Sequence, residues 1–130
     1  MGVFMPMLPE IVVAMLATIK VGGIVLPLFS GFGPRAIVSR LNDADAKALF
    51  TADGCWRRGK PTLLKSIADE AAIQLPTLRH TIVLRRIGVE VPWNPGRDHW
   101  WHELVETASA VCRSRSSLSD PRSARFQKYA

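Results

Sequence analysis

Apolar residues in this chain follow two patterns in turn: short unbroken runs, and longer segments spaced by three or four. Gly2–Met5 is a short apolar run closed by Pro6. Pro9–Val21 has helical character, with Pro9 suited to the first turn, Glu10 and Lys20 matching the dipole at either end, and Gly22-Gly23 stopping it. Val12, Val13, Met15, Leu16 and Ile19 leave this helix little polar surface, so it is expected to be largely buried. Gly23–Phe29 does not alternate, which predicts a strand covered on both faces. Pro34–Leu41 reads as a helix with Ile37, Val38 and Leu41 at helical spacing, and Ala46–Thr51 as a strand ending in the turn Ala52-Asp53-Gly54. Pro61–Ile73 predicts a helix carrying Leu63, Leu64, Ile67 and Ala71 on one side, Thr81–Leu84 a strand, and Arg97–Thr107 a short helix with Trp100, Trp101 and Leu104. Strands alternating with helices at this spacing predict an α/β fold: a mostly parallel, doubly wound sheet with flanking helices.

Charge changes the picture only at the end of the chain. The net charge of +6 divides into +2 over residues 1–112 and +4 over residues 113–130. The folded part is therefore nearly balanced, which argues against a nucleic-acid-binding face, since such a face needs clustered charge on a structured surface. From Val111 onward there are five Ser and four Arg and neither a helix nor a strand period. The expected organisation is a folded unit over residues 1–110 and an irregular basic Ser/Arg-rich tail over 111–130. A nucleic-acid interaction, if present, would belong to that tail. Cys55 and Cys112 stand in no CxxC pattern, so neither a zinc site nor a disulfide framework follows, and free thiols fit a reducing cytoplasmic setting. The first ten residues carry no signal-peptide pattern. Residues 11–29 are apolar, but Lys20, Gly22, Gly23 and Pro27 interrupt them, which predicts two separate elements rather than a membrane span.

Two segments offer chemistry. Ser30-Gly31-Phe32-Gly33 lies between a strand and a helix opened by Pro34, where backbone N–H groups can meet an anion. The same glycines also suit a plain βα turn. Trp56-Arg57-Arg58-Gly59-Lys60 places three cations within four residues at the end of a strand, where open α/β sheets bind ligands. The alternative is a solvated basic loop with Trp56 packed on the sheet. His99 and His102 are three apart and compatible with one helix face, but no HExxH and no third metal ligand accompanies them. Ser30 has no GxSxG setting, and Cys55 has no evident base.

Several collinear segments resemble the AMP-forming acetyl-CoA and short-chain acyl-CoA synthetases of the adenylate-forming superfamily. Met5–Glu10 with Val13–Ala17 looks like that family's first strand–helix unit, and Leu28-Phe29-Ser30-Gly31-Phe32-Gly33-Pro34 is similar to its FGGFSPEA segment. Leu41–Lys47, Thr51–Gly54, Trp56–Lys60, Val91-Pro92-Trp93 and Gly96–Leu104 continue the likeness through about residue 110. The basic loop and the Trp-Trp-His segment point to the acetyl-CoA synthetase branch.

The resemblance implies that Arg57, Arg58, Gly59 and Lys60 bind the nucleotide end of coenzyme A, and that Phe29, Ser30 and Gly31 line the same region. It implies no metal ligand and no catalytic residue in this chain, and it assigns ATP and Mg²⁺ to the full-length family. Ser30 replaces a family Gly and Gly33 a family Ser. The family's Ser/Thr/Gly-rich phosphate loop is expected soon after residue 110, where Cys112-Arg113-Ser114-Arg115-Ser116-Ser117 stands instead. The expectation is a piece of an acyl-CoA ligase that keeps part of the coenzyme A wall and is inactive alone. The alternatives are a non-enzymatic interaction module, self-associating through exposed apolar surface, or a nucleic-acid binder through the tail.

Overall fold

The apolar runs become strands that share one direction. In the computed structural model, which describes residues 1–113, the strands β1 (Gly2–Phe4), β2 (Leu26–Pro27), β3 (Ala48–Ala52), β6 (His80–Leu84) and β7 (Asp98–Trp100) form a parallel sheet in the order β2-β1-β3-β6-β7. A two-stranded antiparallel hairpin, β4 (Cys55–Arg57) and β5 (Lys60–Thr62), leaves the end of β3. The helices are α1 (Pro9–Lys20), α2 (Pro34–Asp43), α3 (Leu64–Ala72) and α4 (Trp101–Thr107).

The winding direction reverses once. The chain steps from β1 outward to β2, then crosses back over β1 to β3 and on to β6 and β7. Right-handed crossovers then place α1 on one face and α2 and α3 on the other. The point of reversal lies between β1 and β3, the switch point at which open α/β sheets leave a crevice beyond the carboxyl ends of their strands.

The core sits between the sheet and the α2–α3 pair. Phe4, Leu28 and Leu49 meet Ile37 and Leu41 from α2 and Leu64, Ala68 and Ala71 from α3, and all are buried. Ile37/Leu41 and Leu64/Ala68/Ala71 are four or three residues apart, so each helix turns one stripe inward. The contact is tight at Gly2, where a Cβ would lie 2.6 Å from Leu41 Cδ2 and 2.9 Å from Leu49 Cδ1.

Two sets of buried charges hold the loops. The Asp53 carboxylate accepts N–H bonds from Gly54 (2.7 Å), Arg86 (2.8 Å), Ile87 (3.1 Å) and Gly88 (2.7 Å), tying the end of β3 to the segment after β6. Lys65 and Asp98, with wholly buried side chains, pair at 2.8 Å. Lys65 also binds Asp69 at 2.7 Å and donates to the Pro92 carbonyl at 3.0 Å. Arg97 bridges both aspartates, at 2.7 Å to Asp98 Oδ1. Two cations face two anions, so the cluster is neutral. Burial alone would raise the Asp98 carboxyl, but hydrogen bonds from Arg97, Lys65 and the Asn94 N–H together hold it below its ordinary value.

Four expectations are corrected. α1 buries only Ala14 and Thr18, while Val12, Val13, Leu16 and Ile19 are 52–61% exposed. A helix apolar on all sides needs a partner on each, and the described residues cover only one. The run 23–29 contributes a two-residue edge strand, not one covered on both faces, and Pro27, lacking an N–H, suits an edge. Pro61 lies in β5 opposite Trp56, and the helix begins at Leu64. Arg97–Thr107 divides into β7 and α4, because the Arg97–Asp98 ion cluster pins that stretch as a sheet strand. The basic tail lies, from residue 114 on, outside the described residues. Among the described residues no helix is long and apolar enough to cross a membrane.

Removing Lys65 leaves Asp98 buried without its ammonium partner. Lys65→Ala is expected to lower stability by about 3–5 kcal/mol, read from urea unfolding; a loss below about 1 kcal/mol would mean that the cluster is not closed to water. The folded Asp98 pKa lies below the unfolded one, so its contribution is complete above the unfolded pKa and disappears as pH falls through the folded one. Stability of the native chain should therefore decline on acidification below about pH 4, and that slope should be shallower in Asp98→Asn.

Candidate anion-binding rim

The two segments singled out in the sequence meet at the carboxyl end of the sheet. Leu28 is buried and anchors the end of β2. The chain then turns, with the Phe32 N–H on the Phe29 carbonyl at 2.9 Å, and enters α2 through Gly33 and Pro34. Gly33 is extended and, having no side chain, offers no side-chain cap. Phe29 and Phe32 pack edge to face at 5.7 Å, and Arg40 from α2 lies 4.3 Å from the Phe32 ring. Phe29 itself is 63% exposed, whereas Ser30 is half-buried at the start of the turn.

The second segment is a hairpin rather than an open loop. Cys55 pairs with Thr62, Trp56 with Pro61 and Arg57 with Lys60, leaving Arg58 and Gly59 as a two-residue turn. Both turn residues have positive φ, +50° at Arg58 and +74° at Gly59, the mirror-image turn that matches strand twist and ordinarily selects Asn-Gly. A side chain other than Gly, Asn or Asp is uncommon there. The base of the hairpin is set by Gly54, where a Cβ would come 2.6 Å from Ile87 Cδ1 and 2.8 Å from the Thr62 carbonyl.

Arg57 joins the two segments. Its guanidinium lies 5.6 Å from the Phe29 ring centroid, a cation–π contact. Gly31 sits beneath both, and a Cβ there would lie 2.5 Å from Phe29 Cε1 and 3.0 Å from Arg57 Nη1. The structure thus brings together Phe29, Gly31 and Arg57, with Arg58, Gly59 and Lys60 at the exposed tip. Among the described residues no carboxylate pairs with Arg57, Arg58 or Lys60. Cations without internal anions, an exposed aromatic face and glycine backbone form a rim suited to a ligand carrying both phosphate and a flat ring. Trp56 is 66% exposed, so the packed-Trp56 alternative does not hold.

Other candidates separate. His99 lies in β7 and His102 in α4, so they share no helix face. Among the described residues no group of three or more His, Cys, Asp and Glu could hold a metal ion. Sequence reasoning passed over Asp53 as a turn residue and left Lys65 and Asp69 unremarked. The Asp-Gly pair and the four-residue Lys65–Asp69 spacing were the available signals, but neither reveals the distant partners at 86–88 and 97–98. A shallow cavity of ≈ 500 Å³ opens elsewhere, among Arg85, Gly88, Val89, Glu90, Val91, Trp93 and Trp100. Its tryptophans stack on each other at 4.5 Å, with Arg85 4.6 Å from the Trp100 ring and Lys65 5.9 Å from that of Trp93.

Residues 1–122 match the family described as AMP-binding enzyme. The chain is 45% identical over 109 residues to the acetyl-coenzyme A synthetase of Streptomyces coelicolor, covering 84% of this chain and 17% of that protein. It is 46% identical over 110 residues to the acetyl-coenzyme A synthetase of Mycobacterium tuberculosis, covering 83% and 17%. The solved structure of acetoacetyl-CoA synthetase from Streptomyces lividans superposes with a TM-score of 0.77 at 32% identity, over 88% of this chain and 17% of that one. The chain spans about one sixth of the length of these relatives.

The rim's geometry is testable without a ligand. Gly31→Ala should displace the Arg57 guanidinium from Phe29 while leaving the core packed. Cross-relaxation between Arg57 Hδ and the Phe29 ring protons should be present in the native chain and vanish in the variant with far-ultraviolet dichroism unchanged. Its absence from the native chain would show that the two segments are not in contact, and an undiminished signal in the variant that Gly31 does not set the contact.

Proposed function

Since the chain belongs to the AMP-binding enzyme family, we propose that it is part of an AMP-forming acyl-CoA ligase of the acetyl-CoA synthetase type, and that its rim holds the phosphate-bearing end of coenzyme A. The observation that carries this reading is the meeting of Arg57, Phe29 and Gly31 beneath a hairpin tip bearing Arg58 and Lys60. Coenzyme A presents phosphates and an adenine ring at one end, so it needs cations and a flat apolar face side by side. Arg57, Arg58 and Lys60 supply the cations, and Arg57 is pre-positioned by its own aromatic contact. Phe29 offers the ring surface. Gly31 lets the backbone approach closely, because no side chain fits between Phe29 and Arg57. Ser30, in place of a glycine, narrows that approach and adds a hydroxyl.

In the complete ligase reaction, a carboxylate attacks the α-phosphorus of ATP and releases pyrophosphate. The coenzyme A thiol then displaces AMP from the acyl-adenylate. Mg²⁺ offsets phosphate charge in the first step. None of the described residues is given a part in that step, so the role proposed here is confined to binding coenzyme A. Residues 1–110 then act as one piece of the ligase's N-terminal domain, with 111–130 apart from it.

A second reading is an interaction module, favoured by the exposed Val12, Val13, Leu16 and Ile19 on α1. Under it the chain associates with itself or with another synthetase chain, and sedimentation would show a concentration-dependent mass that Leu16→Glu abolishes.

Calorimetric titration with coenzyme A separates the two. Weak binding is expected, reduced at least about tenfold, or about 1.4 kcal/mol, in Arg57→Ala/Lys60→Ala. Equal binding by the double variant, or none by the native folded chain, would overturn the rim assignment. Incubation of the chain alone with Mg·ATP and acetate is expected to give no acyl-adenylate; its formation would overturn the confined role.

A further inference from the structure

Two imidazoles meet at the edge of the sheet opposite the basic hairpin. His80 opens β6, at its amino end, whereas the rim lies beyond the carboxyl end of β3. His99 is the middle residue of β7. The parallel register sets Ile82 beside His99, so His80, two residues earlier, projects from the same face. The rings converge: His80 Nδ1 and His99 Nε2 are 3.1 Å apart, with ring centroids at 5.3 Å and planes inclined by 42°.

Both side chains hang from hydrogen-bonded backbone. The His80 N–H reaches the Lys47 carbonyl at 3.2 Å, and the Thr81 N–H reaches the Arg97 carbonyl at 2.9 Å. Asp98, next to His99, is locked in the buried ion cluster. The pair is therefore set by the sheet and not by a loop. His80 is exposed and His99 half-buried, so an ion from solvent can reach the facing nitrogens.

A separation of 3.1 Å suits two arrangements. One is a hydrogen bond between a protonated and an unprotonated nitrogen. The other is joint coordination of one ion: with metal–nitrogen bonds of about 2.0–2.1 Å, a right angle spaces two ligand nitrogens by about 2.9 Å and a tetrahedral angle by about 3.3 Å. The observed distance falls between these limits, so coordination leaves the spacing of the nitrogens almost unchanged. It requires both rings to tilt, turning their lone pairs from the line between the nitrogens toward a common point beside it. The ring that donates in the hydrogen bond would move its proton, through solvent, from the facing nitrogen to the far one. Two neutral rings then offer two lone pairs, with no net proton released.

We propose that His80 and His99 form a two-imidazole chelate for a divalent transition-metal ion such as Zn²⁺, with water in the remaining positions. Imidazole nitrogens favour Zn²⁺, Ni²⁺ and Cu²⁺ over Mg²⁺ and Ca²⁺, which take oxygen ligands. Two protein ligands make an exchangeable site rather than a structural one. The site is independent of the coenzyme A reading, since it shares no residue with the rim.

The test is calorimetric titration of the untagged 130-residue chain with Zn²⁺, alongside ¹⁵N spectra of the imidazole rings. One ion per chain should bind, and affinity should fall at least about tenfold in both His80→Gln and His99→Gln while His102→Gln is unchanged. In the native chain the ring nitrogens of His80 and His99 should shift together over one equivalent, a readout that does not depend on any variant folding. Mg²⁺ should displace nothing. Equal binding by His80→Gln and His99→Gln, an equal loss in His102→Gln, or native ring nitrogens that stay unmoved at millimolar Zn²⁺ would each overturn the proposal and leave a simple histidine–histidine hydrogen bond.

Discussion

The Asp53 carboxylate is the joint on which the carboxyl end of the sheet depends. It is buried and takes four backbone N–H groups, one from the residue after it and three from the segment that leaves β6. An unpaired buried carboxylate would be costly, and here the four N–H groups take the place of the water it has lost. The arrangement fixes Gly54, and with it the departure of the basic hairpin. Without that fixed base, the contact of Arg57 with Phe29 would depend on two loops that drift independently. The rim is a surface feature, but its geometry is decided in the interior.

The neutral cluster around Lys65 and Asp98 does the corresponding work on the other side of β6. It fastens α3 to β7 and to the Pro92 carbonyl in the long connection between β6 and β7. That connection has no helix to pack it against the sheet. Charge pairing and the stacked Trp93 and Trp100 take the place of the apolar stripe that secures α2 and α3. The sheet is thus held by hydrophobic burial near β1 and β3 and by paired ions and aromatic stacking near β7.

Local signals made much of this fold legible. Pro9, Glu10 and Lys20 marked α1 at both ends, and the spacing of Ile37 and Leu41 marked the inward stripe of α2. The α/β class followed from the alternation, and the family likeness agreed with it. What failed depended on neighbours distant in sequence. The exposure of Val12 and Leu16 could not be read from their hydrophobicity, because burial depends on what lies opposite. β7 looked helical because Trp100 and Leu104 are helically spaced, and only the Asp98 pairing with Lys65, 33 residues earlier, makes residues 98–100 a strand. In the rim, the residue types were evident from sequence. The hairpin was not, since Arg58-Gly59 is an unusual turn pair and Pro61 suggests a helix start.

Arg58 carries a further implication. A position with φ of +50° ordinarily favours Gly or Asn, and a long side chain there costs on the order of 1 kcal/mol. The hairpin would close more readily with Gly or Asn at this position. The cost places a third cation between Arg57 and Lys60, at a point of the rim where the ordinary turn pair would leave the tip uncharged.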